Sequence, residues 1–159
     1  MKEATFNTEI VNSIKDLGWF AHKLTDTPKV PGLRFISEKP FDIFAVAYGK
    51  PIAIESKQFK KFQGFSIRYL RDNQVEYLDK MVSSGGRAFV FLNVRIPTIK
   101  GVQKRQNRCY IIDWAKWDRQ QIPVKEIREM DFIEGKNGKF DLHNFLQVIQ
   151  FQETLKNEF

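Results

Sequence analysis

Apolar positions recur along the chain with two spacings, and these divide it into elements. Ile10, Val11, Ile14 and Leu17 follow helical spacing, with Asn7 or Thr8 placed to cap the start and Gly18 to end it. Residues 72–84 repeat the pattern through Val75, Tyr77, Leu78, Met81 and Val82 and stop at Gly85-Gly86. Residues 19–24, 41–47, 52–58, 88–94 and 109–114 read as strands. Tyr48-Gly49-Lys50-Pro51 predicts a hairpin joining the second and third, with Gly49-Lys50 at the centre of its turn. Residues 25–37, with two prolines and a glycine, read as a loop. Past Trp114 the pattern weakens to a short helix at 115–120, a turn at Asn137-Gly138 and an amphipathic helix at 141–156. The order of elements predicts an α/β fold with a mixed central sheet flanked by helices. One domain is expected over residues 1–159, with its core at about 5–114 and a helical extension at 115–159.

Composition narrows the class. A chain of 159 residues with 42% apolar content and 15 phenylalanines has enough core material to fold without staples. A lone cysteine, Cys109, excludes an internal disulfide and a four-cysteine zinc site, and is expected to start a buried strand. His22 and His143 leave little room for a histidine-rich metal site, and spacing gives them no partner. No apolar run approaches the ~20 residues of a membrane helix, and the start lacks the apolar stretch of a signal peptide. A cytoplasmic protein with no membrane partner is expected. The net charge is +7, yet residues 126–159 carry seven acidic and four basic groups. The positive excess therefore lies in residues 1–125, which favours a polyanionic partner, nucleic acid first.

The candidate chemistry rests on Asp42, Glu55 and Lys57. Acid-x-Lys triplets arise by chance roughly twice in such a composition, so spacing alone carries nothing. Two occur, Glu55-Ser56-Lys57 and Glu134-Gly135-Lys136. The second runs into Asn137-Gly138 and reads as a solvated turn. The first closes the strand Ile52-Ala53-Ile54, where alternation puts Glu55 and Lys57 on one face. With the turn centred on Gly49-Lys50, Asp42 would oppose Lys57 and Phe44 would oppose Glu55, so all three charges converge. Two carboxylates on one patch repel, and Mg²⁺, an oxygen-seeking cation content with one or two carboxylates, relieves this. The Ser56 carbonyl is placed to add a third oxygen, and Mn²⁺ is a possible substitute ion. Hydrolysis of a phosphodiester is the chemistry implied. A plain surface ion pair of Lys57 with either acid is the other reading.

The stretch Lys39-Pro40-Phe41-Asp42 through Gly49-Lys50-Pro51-Ile52-Ala53-Ile54-Glu55-Ser56-Lys57 resembles the core of the PD-(D/E)XK nuclease superfamily, a restriction-endonuclease-like fold. Asn73-Gln74 entering a helix and Gly85-Gly86 before Ala88-Phe89-Val90-Phe91 narrow the resemblance to the RecU-type Holliday-junction resolvases. That resemblance implies a metal-dependent endonuclease making paired symmetric nicks in four-way DNA junctions, acting as a homodimer. It implies Asp42 and Glu55 as metal-binding acids, Lys57 as the motif lysine, and Glu9 as an added acid of the metal site. Glu9 alternatively serves the helix dipole. Gln74 matches a family glutamine or is an ordinary exposed helix residue. Relatives carry a projecting stalk where this chain has only residues 25–37.

Two basic segments are candidates for DNA contact. Residues 57–71 interleave Lys60, Lys61, Arg68 and Arg71 with Phe59, Phe62, Phe65 and Tyr69. The cations would meet phosphates, while the phenylalanines either stack on unpaired bases or, the favoured reading, pack beneath the sheet. Residues 95–108 hold Arg95, Lys100, Lys104, Arg105 and Arg108 and no acid, as a mobile arm gripping DNA or a solvated loop. An endonuclease acting on duplex or flaps, and a DNA-binding module without turnover, are the alternative functions.

Overall fold

A computed structural model describes residues 3–26, 31–32 and 38–158, with side chains described between residues 5 and 150 of these. Seven strands form a sheet in sequence order. They are β1 (Phe20–Lys23), β2 (Ile43–Ala47), β3 (Lys50–Phe59), β4 (Arg87–Ile96), β5 (Gln106–Asp113), β6 (Ile133–Lys136) and β7 (Lys139–Phe140). All neighbours run antiparallel except β3 and β4, which are parallel. Parallel neighbours need a crossover, and α2 (Asp72–Ser83) supplies it.

Helices cover both faces, which is why β4 is apolar on both sides. On one face, α1 (Glu3–Asp16) and α4 (His143–Glu158) bury Phe6, Ile10, Ile14, Leu146 and Ile149 against Ile43, Ile52, Ile54, Phe89 and Phe91. On the other, Leu78 of α2 and Ile127 of α3 (Val124–Glu129) pack with Ala53, Val90, Leu92, Tyr110 and Trp114. Cys109 is buried in β5, and burial pushes its thiol far above the ordinary range.

The hairpin turn falls one residue earlier than the sequence predicts. Tyr48 and Gly49 both take positive φ (52° and 73°), the pair of left-handed residues that a two-residue hairpin turn requires. Ala47 thus pairs with Lys50 and Ile43 with Ile54. Phe44 lies opposite Ala53 rather than Glu55, and the register brings Asp42 towards Glu55 rather than Lys57. The error is two residues along the strand, an even number, so every side chain keeps its face.

The segment past Trp114 is more than a helical extension. Residues 115–120 form no helix, α3 follows them, and β6 and β7 meet at the Asn137-Gly138 turn. Gly135 is required in β6, because a Cβ there would overlap the Asn107 amide and the Phe140 ring. Phe140 sits edge-on to Phe6 with ring centroids 5.4 Å apart, and Phe145 contacts Phe89 and Phe91. Ser13 Oγ accepts the Phe140 N–H at 2.9 Å while donating to the Glu9 carbonyl, which binds β7 to α1. This segment and the strands share one core.

Candidate active site

Asp42 stands one residue before β2, where the chain enters the sheet. Its N–H donates to the Ile54 carbonyl (3.1 Å) and its carbonyl accepts from Leu24 (2.8 Å), so the backbone is held on both sides. The side chain is buried, and Oδ2 accepts the Ser56 N–H at 2.8 Å. Oδ1 meets Lys39 Nζ at 2.8 Å. Burial works against the Lys39 charge, but its hydrogen bond to Asp42 and that carboxylate's charge outweigh it and raise the lysine above its usual range.

Glu55, on β3, is 1% exposed. Its Oε1 accepts from Gln74 Nε2 at 2.8 Å and lies 3.5 Å from Lys57 Nζ. Its Oε2 is buried with no hydrogen-bond partner. Burial pushes the carboxyl up, the Asp42 charge pushes it further, and Lys57 only partly opposes them, leaving it at about 8.

Gln74 is buried, not an exposed helix residue. It occupies the first turn of α2, where its Oε1 accepts the Arg71 N–H at 2.9 Å. That bond satisfies a donor at the helix start. It also fixes the amide, because with Oε1 committed to Arg71 the Nε2 faces Glu55.

Asp42, Glu55, Lys57, Ser56 and Gln74 are therefore brought together. Glu9 is not. Its carboxylate grips Arg95 through two hydrogen bonds, Oε2 to Nη2 at 2.6 Å and Oε1 to Nη1 at 3.2 Å. Arg95 follows Phe89, Phe91 and Asn93 at alternate positions of β4 and so lies on the face that α1 covers, whereas Glu55 faces α2. The expectation that Glu9 joins Asp42 and Glu55 is thus corrected, because the Arg95 guanidinium claims it. Among the described residues no three acids, histidines or cysteines group into a metal site. The Asp42–Glu55 pair still fits a hard divalent cation: all its donors are oxygen, and one carboxylate oxygen is buried without a partner.

Of the candidate DNA contacts, Lys60, Lys61, Arg68 and Arg71 are exposed just past β3 and at the start of α2, with Arg71 Nη1 meeting Glu38 Oε2 at 3.1 Å. Lys100, Lys104 and Arg105 are exposed between β4 and β5. Arg108 is half-buried, its guanidinium 4.0 Å from the centre of the Phe132 ring. Arg95 is a second correction, buried rather than set on a mobile arm. Phe59 and Phe65 are buried and Phe62 packs against them, as the favoured reading of those rings expects. The second acid-x-Lys pair, Glu134 and Lys136, is exposed on β6. Residues 27–30 and 33–37, most of the segment in the position of a stalk, lie outside the described residues. Sequence reasoning missed Lys39; its place three residues before Asp42 was the available signal.

Residues 33–152 match the family model for recombination protein U. The chain belongs to the RecU family. This is a family of Holliday-junction resolvases, and the chain is accordingly a resolvase, a nuclease acting on branched DNA. In fold, this RecU-family chain is similar to Hjc, a Holliday junction resolvase from the archaeal hyperthermophile Archaeoglobus fulgidus. The two superpose with a TM-score of 0.51 at 17% identity, covering 80% of this chain and 93% of that one. No curated protein matches the chain. Among the described residues no helix is long and apolar enough to cross a membrane.

Proposed function

We propose that the protein resolves four-way junctions by paired symmetric nicks, as a homodimer, with Mg²⁺ held by Asp42, Glu55 and the Ser56 carbonyl and with Mn²⁺ able to replace it. The observation that supports this best is the unpartnered Glu55 oxygen, buried beside a second carboxylate on a face reached by a lysine. Such a pair is unstable without a cation. When bound, a divalent cation supplies charge neutralisation at the phosphoryl oxygens and an acidified water.

The protein's own groups do the rest. The Ser56 N–H and the Ile54 carbonyl fix Asp42. Gln74 fixes one Glu55 oxygen and leaves the other free. Lys57, level with Glu55 on the same face, places its ammonium where a water or a phosphoryl oxygen would sit. Lys60, Lys61, Arg68 and Arg71 flank that face and neutralise the backbone phosphates on either side of the cut, while Lys100, Lys104, Arg105 and Arg108 extend the positive field across β4 and β5. A four-way junction has two equivalent strands to cut, and two-fold symmetry sets one site at each.

Mapping the nicks on each strand of an end-labelled immobile junction tests the proposal. It expects two nicks at positions related by the junction's two-fold axis, and sedimentation of the free protein as a dimer. Nicks scattered on all four strands, or a monomer that cuts, would contradict it.

A further inference from the structure

We infer that the hairpin between β4 and β5 is a wedge that inserts its apolar tip among the bases at the branch point. The inference rests on the resolvase reading and adds to it the element that senses branching. Val102 is 77% exposed and Ile99 is 49% exposed, the former the most exposed large apolar side chain among the described residues. Neither belongs to a loose coil. Ile99 and Gln103 form an antiparallel bridge, with the Ile99 N–H donating to Gln103 at 3.0 Å and the Gln103 N–H returning to Ile99 at 2.9 Å. Gln103 Nε2 also donates to the Pro97 carbonyl at 2.8 Å, bracing the base of the hairpin. Gly101, at φ +76°, makes the reversal between Ile99 and Val102. The fold thus holds two bare aliphatic side chains out in water on a braced tip.

The surroundings select the occupant. Lys100, Lys104 and Arg105 flank the two side chains and are exposed, and no acid lies between residues 95 and 108. Two such tips from two copies would repel, while a nucleic acid would meet them with phosphates. Beneath the hairpin lies a cleft of about 470 Å³ that joins Arg105 and Thr98 to Lys60 and Gln58 at the end of β3. The strand carrying Glu55 and Lys57 therefore runs towards the root of the wedge. Aliphatic side chains inserted between base steps hold nucleic acid unstacked, and a branch point, with stacking already interrupted, presents the least cost.

The test uses the full chain with Ile99 and Val102 both changed to serine, and a four-way junction carrying 2-aminopurine beside the branch, in EDTA. The wild-type protein should raise the 2-aminopurine fluorescence, and I99S/V102S should abolish the rise. The variant should lose about tenfold in affinity for the junction and keep its affinity for linear duplex, with an unchanged melting temperature. Retention of the rise or of junction affinity in the variant would overturn the inference, as would the absence of any rise with the wild type. A change in oligomeric state on substitution would also overturn it and assign the tip to protein contact. Failure of the resolvase reading is separate: the wild type would then bind junction and duplex alike.

Discussion

Gln74 Nε2 donates to Glu55 Oε1 at 2.8 Å while Gln74 Oε1 accepts the N–H that opens α2. One amide thus couples the start of a helix to the orientation of a buried carboxylate. Replacing it with alanine removes a donor to Glu55 and an acceptor from the helix start. Gln74→Ala should lower single-turnover cleavage by about 10–100-fold, the range for partners that orient metal ligands, and stability by about 1–3 kcal/mol. An unchanged cleavage rate in a folded variant would show that Glu55 needs no such orientation.

Glu55 predicts how the metal-free protein responds to pH. Its folded carboxyl is raised from 4.5 to about 8, so between those values the folded state binds the proton that the unfolded state has released. The stabilisation is complete below about pH 4.5 and is lost as pH rises through about 8. Within that window this group lowers stability by roughly 1.4 kcal/mol per pH unit. Glu55→Gln should abolish the decline, so in EDTA the variant should gain on the wild type from about pH 5 to about pH 8. Parallel melting curves across that range would refute the assignment.

Glu9 and Arg95 form a nearly buried pair, with side chains 13% and 6% exposed. Glu9→Gln removes the carboxylate that faces the buried Arg95 guanidinium, which should cost about 2–4 kcal/mol. The rise in melting temperature on adding Mn²⁺ should remain, because Glu9 stands with Arg95 rather than with Asp42. Loss of that rise would return Glu9 to the metal site.

Lys39 occupies the Asp42 oxygen that a cation needs. Lys39→Met should bind Mg²⁺ or Mn²⁺ several-fold more tightly by calorimetry in the absence of DNA, since one competing charge at 2.8 Å is gone. Weaker binding would mean that Lys39 organises the site rather than guarding it.

Much of this arrangement was legible in the sequence, for identifiable reasons. Strand side chains alternate with a period of two, so the convergence of Asp42, Glu55 and Lys57 survived a two-residue error in register. That error arose because Tyr48 takes a left-handed conformation that its residue type does not announce. Gln74 was legible only as a position, since its hydrogen bond to Glu55 joins residues 19 positions apart. The partner of Glu9 lies 86 residues away and follows from tertiary packing alone. β6 and β7 are too short to show a period, and their place in the sheet depends on Gly135 fitting under Asn107.

The most direct test of the account compares cleavage of a labelled immobile four-way junction with that of a linear duplex of the same sequence, in Mg²⁺ and in EDTA, by the wild type and Asp42→Asn. The side-chain amide oxygen of that variant can still accept the Ser56 N–H, so it should fold and bind the junction. Paired nicks are expected in the junction alone, lost in EDTA and in the variant. Equal cutting of the duplex, or junction cutting that persists without Asp42, would contradict it.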